Sequence, residues 1–157
     1  REPNENLYGV LFSMNKGDTV YSAREGVVSS VNDIEMKNDR RRYNFKARNN
    51  KIELFHTDGT FTRYSNVDAV LVEPGDKINL GQAIAVVGGR SFYSSKEHVR
   101  FLVYYLDSVK VQNLSSRTKY SLLTPTFDTK NFGKVKLVRK NVYVKPVYPV
   151  VIPKKNK

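Results

Sequence analysis

Only two imidazoles occur in this chain, His56 and His98, and cysteine is absent from all 157 positions. A catalytic zinc takes three protein ligands from His, Asp, Glu or Cys and keeps a fourth position open. Both histidines would then have to join one carboxylate, and no H-E-x-x-H or H-x-x-x-D cluster is present. The absence of cysteine removes thiolate nucleophiles, disulfides and Cys-ligated metal sites together. A Ser-His-Asp site lacks its Gly-x-Ser-x-Gly elbow. His56 stands just before Asp58-Gly59 and reads as a structural histidine, with the Asp58 carboxylate turned onto local backbone.

His98 opens a run, His98-Val99-Arg100-Phe101-Leu102-Val103, that alternates as a strand does. With period two, Val99, Phe101 and Val103 share one face and His98, Arg100 and Leu102 the other. The first set is apolar and predicts the core, so His98 and Arg100 are expected on a groove. Two readings stand for them: a cationic floor that captures a carboxylate, or a remnant with Arg100 solvated or paired to an acid. The same parity places Tyr64 and Asn66 together. They either line that groove and bond a ligand amide, or Tyr64 covers a core edge while Asn66 caps a turn. Tyr8, Tyr93, Tyr104 and Tyr105 are candidates for stacking on sugars or bases, or for ordinary half-buried packing.

The elements that must position these residues are strands. Val20–Ala23, Gly26–Val31, Lys51–His56, Thr60–Tyr64, Ala83–Val87 and Val99–Tyr105 are short β-branched or alternating segments. Asp58-Gly59 is a strong hairpin signal, and Pro74-Gly75-Asp76 and Gly81-Gln82 are turns. Ser94–His98 and Ser115–Leu123 are the only stretches that suggest a helical turn or two. The reading is all-β. Lys37–Arg48 is basic and polar, and reads as a solvated loop or hairpin tip. Val135–Val138 and Val142–Val144 alternate well enough to pair, and Pro146, Pro149 and Pro153 then break any ladder.

Lys and Arg total 27 against 15 for Asp and Glu, a formal net charge of +12. That balance favours an anionic partner such as nucleic acid, an anionic membrane surface or a carboxylate-rich polymer. No nucleic-acid-binding signature accompanies it, and no run approaches the roughly 18 apolar residues of a membrane span. The chain opens on Arg1-Glu2-Pro3-Asn4 with no apolar targeting segment, as a mature chain or a trimmed one would.

Four segments in order carry a resemblance. They are Gly17-Asp18-Thr19-Val20 through Glu25-Gly26-Val27-Val28; Ile52-Glu53-Leu54-Phe55-His56-Thr57-Asp58-Gly59 through Tyr64; Val72-Glu73-Pro74-Gly75-Asp76 through Gly81-Gln82-Ala83-Ile84-Ala85; and Glu97-His98-Val99-Arg100-Phe101. Together they resemble the lysostaphin-like (LytM, peptidase family M23) domain of zinc-dependent peptidoglycan hydrolases, over roughly residues 7 to 106. The resemblance implies one zinc held by the His and Asp of an early H-x-G-x-D and by the second His of an H-x-H. Here Leu7 stands for that His, Leu11 for that Asp and Arg100 for the third ligand. Leucine has no lone pair, and the guanidinium is a permanent cation with donors only. Asn66 also replaces the His of Y-x-H-L, which the resemblance assigns to transition-state stabilisation, so His98 is the sole remnant of the catalytic histidines.

The sequence therefore predicts an all-β, mostly antiparallel lysostaphin-like domain over residues 1–123 with a basic C-terminal extension over 124–157, its last ten residues flexible. The expected function is that of a catalytically degenerate M23 relative with no metal and no other cofactor. Its groove would comprise Tyr64, Asn66, His98 and Arg100. The expected setting is the bacterial envelope, periplasmic or secreted after loss of a signal peptide. The expected partner is peptidoglycan peptide or another envelope protein such as a cell-wall hydrolase. An active hydrolase with a rearranged site and a basic nucleic-acid-binding β-domain are the alternatives.

Overall fold

The computed structural model describes residues 9–32, 50–87, 97–107 and 119–137. Twelve strands account for the regular structure there, and no helix occurs among the described residues. They are β1 (Val10–Ser13), β2 (Thr19–Tyr21), β3 (Gly26–Asn32), β4 (Lys51–Phe55), β5 (Thr60–Ser65), β6 (Val67–Val70), β7 (Lys77–Ile78), β8 (Ala83–Val87), β9 (His98–Asp107), β10 (Lys119–Leu123), β11 (Phe127–Thr129) and β12 (Gly133–Val135). A seven-stranded sheet runs β1-β9-β5-β4-β3-β7, with β10 also paired to β9; β2-β8-β6 form a second sheet, and β11-β12 a hairpin. Every pairing is antiparallel.

The core lies between the two larger sheets. Val28, Ile52, Leu54, Tyr64, Val99 and Phe101 from the large sheet join Val20, Val67, Ile84, Ala85 and Val87 from the small one in a single cluster. Packing side chains from two facing sheets in this way removes the apolar stripe of each strand from water. Val99 and Phe101 face the core as their alternation predicts. Phe12, Phe101 and Phe127 meet edge to face or tilted, with centroids 5.7–6.3 Å apart. The segment after Pro125 thus begins by packing on the sheet.

Three turns share one chemical device. In Asn15–Asp18, Glu73–Asp76 and Asn79–Gln82 the last residue donates its backbone N–H to the carbonyl of the first, at 3.1 Å each. Its side chain also accepts from that first residue's N–H: Asp18 Oδ2 at 2.8 Å, Asp76 Oδ2 at 2.9 Å and Gln82 Oε1 at 3.0 Å. The third residue is Gly17, Gly75 or Gly81, each at positive φ, where a Cβ would be strained. The Gly-Asp and Gly-Gln pairs of the sequence are therefore turn-closing chemistry.

One expectation is corrected here. Lys119–Leu123, expected to end a helical turn, is strand β10, paired with Val103–Asp107 of β9; the cross-strand partner decides the conformation of so short a segment. Val135, expected to pair as a strand, does so with Phe127 of β11; residues 142–144 lie outside the described part. So do Lys37–Arg48 and, of Ser94–His98, residues 94–96; Glu97 precedes β9 and His98 is its first residue.

Candidate functional site

The register of the large sheet sorts its outer face, the one turned away from the core, into transverse rows. Directly opposed residues of antiparallel strands share a face. One row is apolar: Val27, Phe55, Phe61, Tyr104 and Leu122. Phe61 stacks on Tyr104 with centroids 5.2 Å apart, and Phe55 tilts against Phe61 at 5.0 Å. The next row holds Ser30, Glu53, Arg63 and Leu102. A third row is polar and cationic: Asn32, Lys51, Ser65, Arg100 and Leu11. His98, opposite Ser13, closes the face at its far end.

The middle row contains a buried ion pair that alternation alone does not reveal. Arg63 Nε and Nη2 both reach Glu53 Oε1, at 2.6 and 2.5 Å. The Tyr104 hydroxyl donates to the same oxygen at 2.9 Å, and the Ser30 hydroxyl donates to Oε2 at 2.6 Å. The Arg63 guanidinium also lies 5.4 Å from the centroid of the Tyr104 ring, within cation–π range. Burial raises the Glu53 pKa, but the Ser30 bond, the Arg63 charge and the Tyr104 bond together hold it below its ordinary value. For Tyr104, burial and the neighbouring carboxylate both push the phenol upward. The signal was present in the sequence: a hairpin closed at Asp58-Gly59 that pairs Phe55 with Phe61 must pair Glu53 with Arg63.

His98 and Arg100 sit on the outer face as the alternation predicts, but that face does not leave them open. His98 is 3% exposed and Arg100 9%. Leu102 and Tyr104, on the same side, are also buried, so the outer face of β9 is enclosed from His98 to Tyr104. Both polar residues are engaged within the chain. An exposed groove floor at these two side chains is therefore corrected to an enclosed one.

Tyr64 is not with them. It is 3% exposed and lies in the core opposite Phe101, with ring centroids 5.2 Å apart. Its hydroxyl accepts the Ala23 N–H at 2.8 Å, and burial raises its pKa. Tyr64 is corrected from groove to core. Asn66 does not share its face either, because β5 ends at Ser65 and Asn66 takes φ +66°. That left-handed step breaks the two-residue parity, and Asn tolerates it better than most side chains. The Asn66 amide donates to the His98 carbonyl at 2.6 Å, tying the β5–β6 corner to the start of β9.

His56 is structural, as its place beside the turn suggests. Its Nδ1 lies 2.7 Å from the Glu25 carbonyl oxygen and its Nε2 2.9 Å from Thr62 Oγ1. A carbonyl cannot donate, so Nδ1 carries the proton and Nε2 accepts from the threonine. Burial lowers its pKa first, with Arg24 adding to that effect. Gly26 closes against it: a Cβ there would lie 2.9 Å from Nδ1 and 2.6 Å from the Phe55 carbonyl oxygen. Asp58 accepts from the Thr60 backbone and hydroxyl and from Arg24, and these bonds hold its carboxyl well below the usual range.

Of the three positions that the resemblance assigns to metal ligands, Leu7 lies outside the described residues. Leu11 and Arg100 are directly opposite each other on β1 and β9. The donor set does not fit a zinc ion, since one side chain has no lone pair and the other is a cation that repels it. No group of three or more His, Cys, Asp or Glu able to hold a metal occurs among the described residues. No helix among them is long and apolar enough to cross a membrane.

Two packed antiparallel sheets, with a short first strand laid along the H-x-H-like strand, define the lysostaphin-like class of zinc-peptidase folds. The chain belongs to peptidase family M23, whose family model matches residues 5–113. It is similar to the antimicrobial peptidase lysostaphin from Staphylococcus simulans, at 26% identity over 62% of this chain and 35% of that one, with a TM-score of 0.50. The catalytic domain of the prophage-encoded M23 protein EnpA from Enterococcus faecalis shares the fold at 16% identity, 62% and 66% coverage and a TM-score of 0.50. A zinc-containing peptidase from Vibrio cholerae matches at 27% identity over 60% of this chain and 26% of that one, with a TM-score of 0.48. The chain thus spans from about a quarter to just under two thirds of these solved chains. No curated protein matches it.

Proposed function

We propose that this M23 domain works without hydrolysis, as a binding or regulatory domain of the bacterial envelope, periplasmic or secreted, that engages peptidoglycan peptide or another envelope protein. The observation that carries the reading is the Leu11–Arg100 pair, facing residues of β1 and β9 at two positions where the resemblance expects an acid and a histidine. Zinc lowers the pKa of a bound water from 15.7 to about 7, and an Arg–Leu pair has no means of doing so. Retention of the turn-closing Gly-Asp and Gly-Gln pairs and of the two-sheet core supports a domain kept for its surface. The cationic balance of the chain supports an anionic ligand, drawn in at low ionic strength.

Purified peptidoglycan tests both halves of the reading. The expected result is co-sedimentation of the protein with the polymer and no release of soluble fragments. Steady release of fragments that is lost in His98→Ala would overturn the non-hydrolytic half. A cell-wall hydrolase whose rate is unchanged by the protein, combined with no sedimentation, would overturn the binding half.

A further inference from the structure

The row Lys51–Ser65–Arg100 crosses three adjacent strands on the outer face of the large sheet. Neighbouring strands lie about 4.8 Å apart, so the backbones of Lys51 and Arg100 flank that of Ser65 at roughly 5 Å on either side. Both cationic side chains are long enough to reach over the serine. On β4, β5 and β9 this face carries three cations, Lys51, Arg63 and Arg100, and one acid, Glu53. Glu53 already accepts from Arg63, Ser30 and Tyr104, which directs its charge to Arg63 and away from the Lys51 row.

We propose that Lys51, Ser65 and Arg100 form an oxyanion site that takes the carboxylate of a peptide. Arg100 supplies a planar pair of N–H donors matched to two carboxylate oxygens, Ser65 a hydroxyl donor and Lys51 a second positive charge. All three are engaged within the chain, so the entering carboxylate exchanges partners with them. Enclosure strengthens the attraction, because a charge interaction gains as water is excluded. Leu11, at the end of the row, is 53% exposed and marks an open approach beside Arg100. The inference deepens the non-hydrolytic reading by naming what its site binds.

The test is an NMR titration of the intact chain with three probes: acetyl-Ala-Ala bearing a free C-terminal carboxylate, its C-terminal amide, and inorganic phosphate. The expected result is saturable shifts at Lys51, Ser65 and Arg100 with the free acid, and none with the amide. Arg100→Gln is expected to weaken the acid by roughly 10- to 150-fold, the loss of one charge-assisted bond. Lys51→Met should weaken it about two- to fivefold, and Ser65→Ala gives a second variant if Arg100→Gln does not fold. Lys77→Met, which removes a charge from the same face opposite Val27, is expected to leave the affinity unchanged. Equal losses in Lys77→Met and Lys51→Met would show a diffuse field and overturn the site. No saturation by the free acid would overturn it too, and phosphate binding as tight as the acid would overturn the peptide carboxylate as ligand. None of these readouts depends on turnover. Cleavage of peptidoglycan would thus sink the non-hydrolytic reading separately.

Discussion

Leu11 lies directly opposite Arg100 across the β1–β9 ladder. A 53%-exposed leucine and a 9%-exposed arginine thus face each other at positions that the resemblance assigns to metal ligands. The pairing is a property of register: β1 meets β9 over four residues, and a slip by one would turn Leu11 to the core side. The same register puts Phe12 against Val99 and anchors the strand through the core.

The Glu53–Arg63 pair is expected to be the most sensitive polar feature of the fold. Removing one partner of a buried pair leaves an uncompensated charge, a loss of about 3–5 kcal/mol. Arg63→Met should therefore lower the urea midpoint sharply. Glu53→Leu combined with Arg63→Met should cost clearly less than the sum of the single changes. Additive losses would mean that the two side chains are not coupled.

Asn66 separates conformation from hydrogen bonding. Asn66→Gly keeps the left-handed backbone and loses the bond to the His98 carbonyl, an expected loss of about 0.5–1.5 kcal/mol. Asn66→Ala loses the same bond and adds left-handed strain of roughly 1–2 kcal/mol. Thermal unfolding should rank wild type above Gly and Gly above Ala. An alanine variant as stable as the glycine one would contradict the backbone assignment.

His56 gives the fold a pH dependence of predictable sign. Its folded pKa is lowered from 6.5, so the unfolded chain takes up the proton first. The stabilisation is complete above about pH 6.5 and is lost progressively as pH falls toward the folded value. Melting temperatures measured from about pH 7.5 down to about 5 should fall in the wild type, and His56→Gln should flatten that part of the curve. A wild-type slope unchanged by the substitution would place the titrating group elsewhere.

Much of this was legible in the sequence. The strand alternation of Val99 and Phe101, the Asp58-Gly59 hairpin and the Gly-Asp and Gly-Gln turns appear where the residue pattern puts them. What the pattern could not carry was the second face of β9. Alternation distinguishes two sides of a strand but does not say that the outer one is enclosed, and Arg100, Leu102 and Tyr104 are buried there. Tyr64 was misjudged because parity does not say which face of β5 meets the core, and it lies opposite Phe101. For Asn66 parity itself fails, since it holds only while φ stays extended and Asn66 is left-handed. Lys119–Leu123 is a strand through its partner Val103–Asp107, information that no local window contains. The Glu53–Arg63 pair was within reach, since the hairpin register alone places the two opposite each other.

The central claim is that this M23 domain cannot hold a catalytic zinc, and metal content measures it most directly. The purified chain is equilibrated with zinc, passed through a desalting column and analysed for metal beside a Leu7→His, Leu11→Asp, Arg100→His triple variant. The account expects no stoichiometric zinc in the wild type and a gain of bound zinc only when all three ligands are restored. One tightly held zinc per wild-type chain would contradict it.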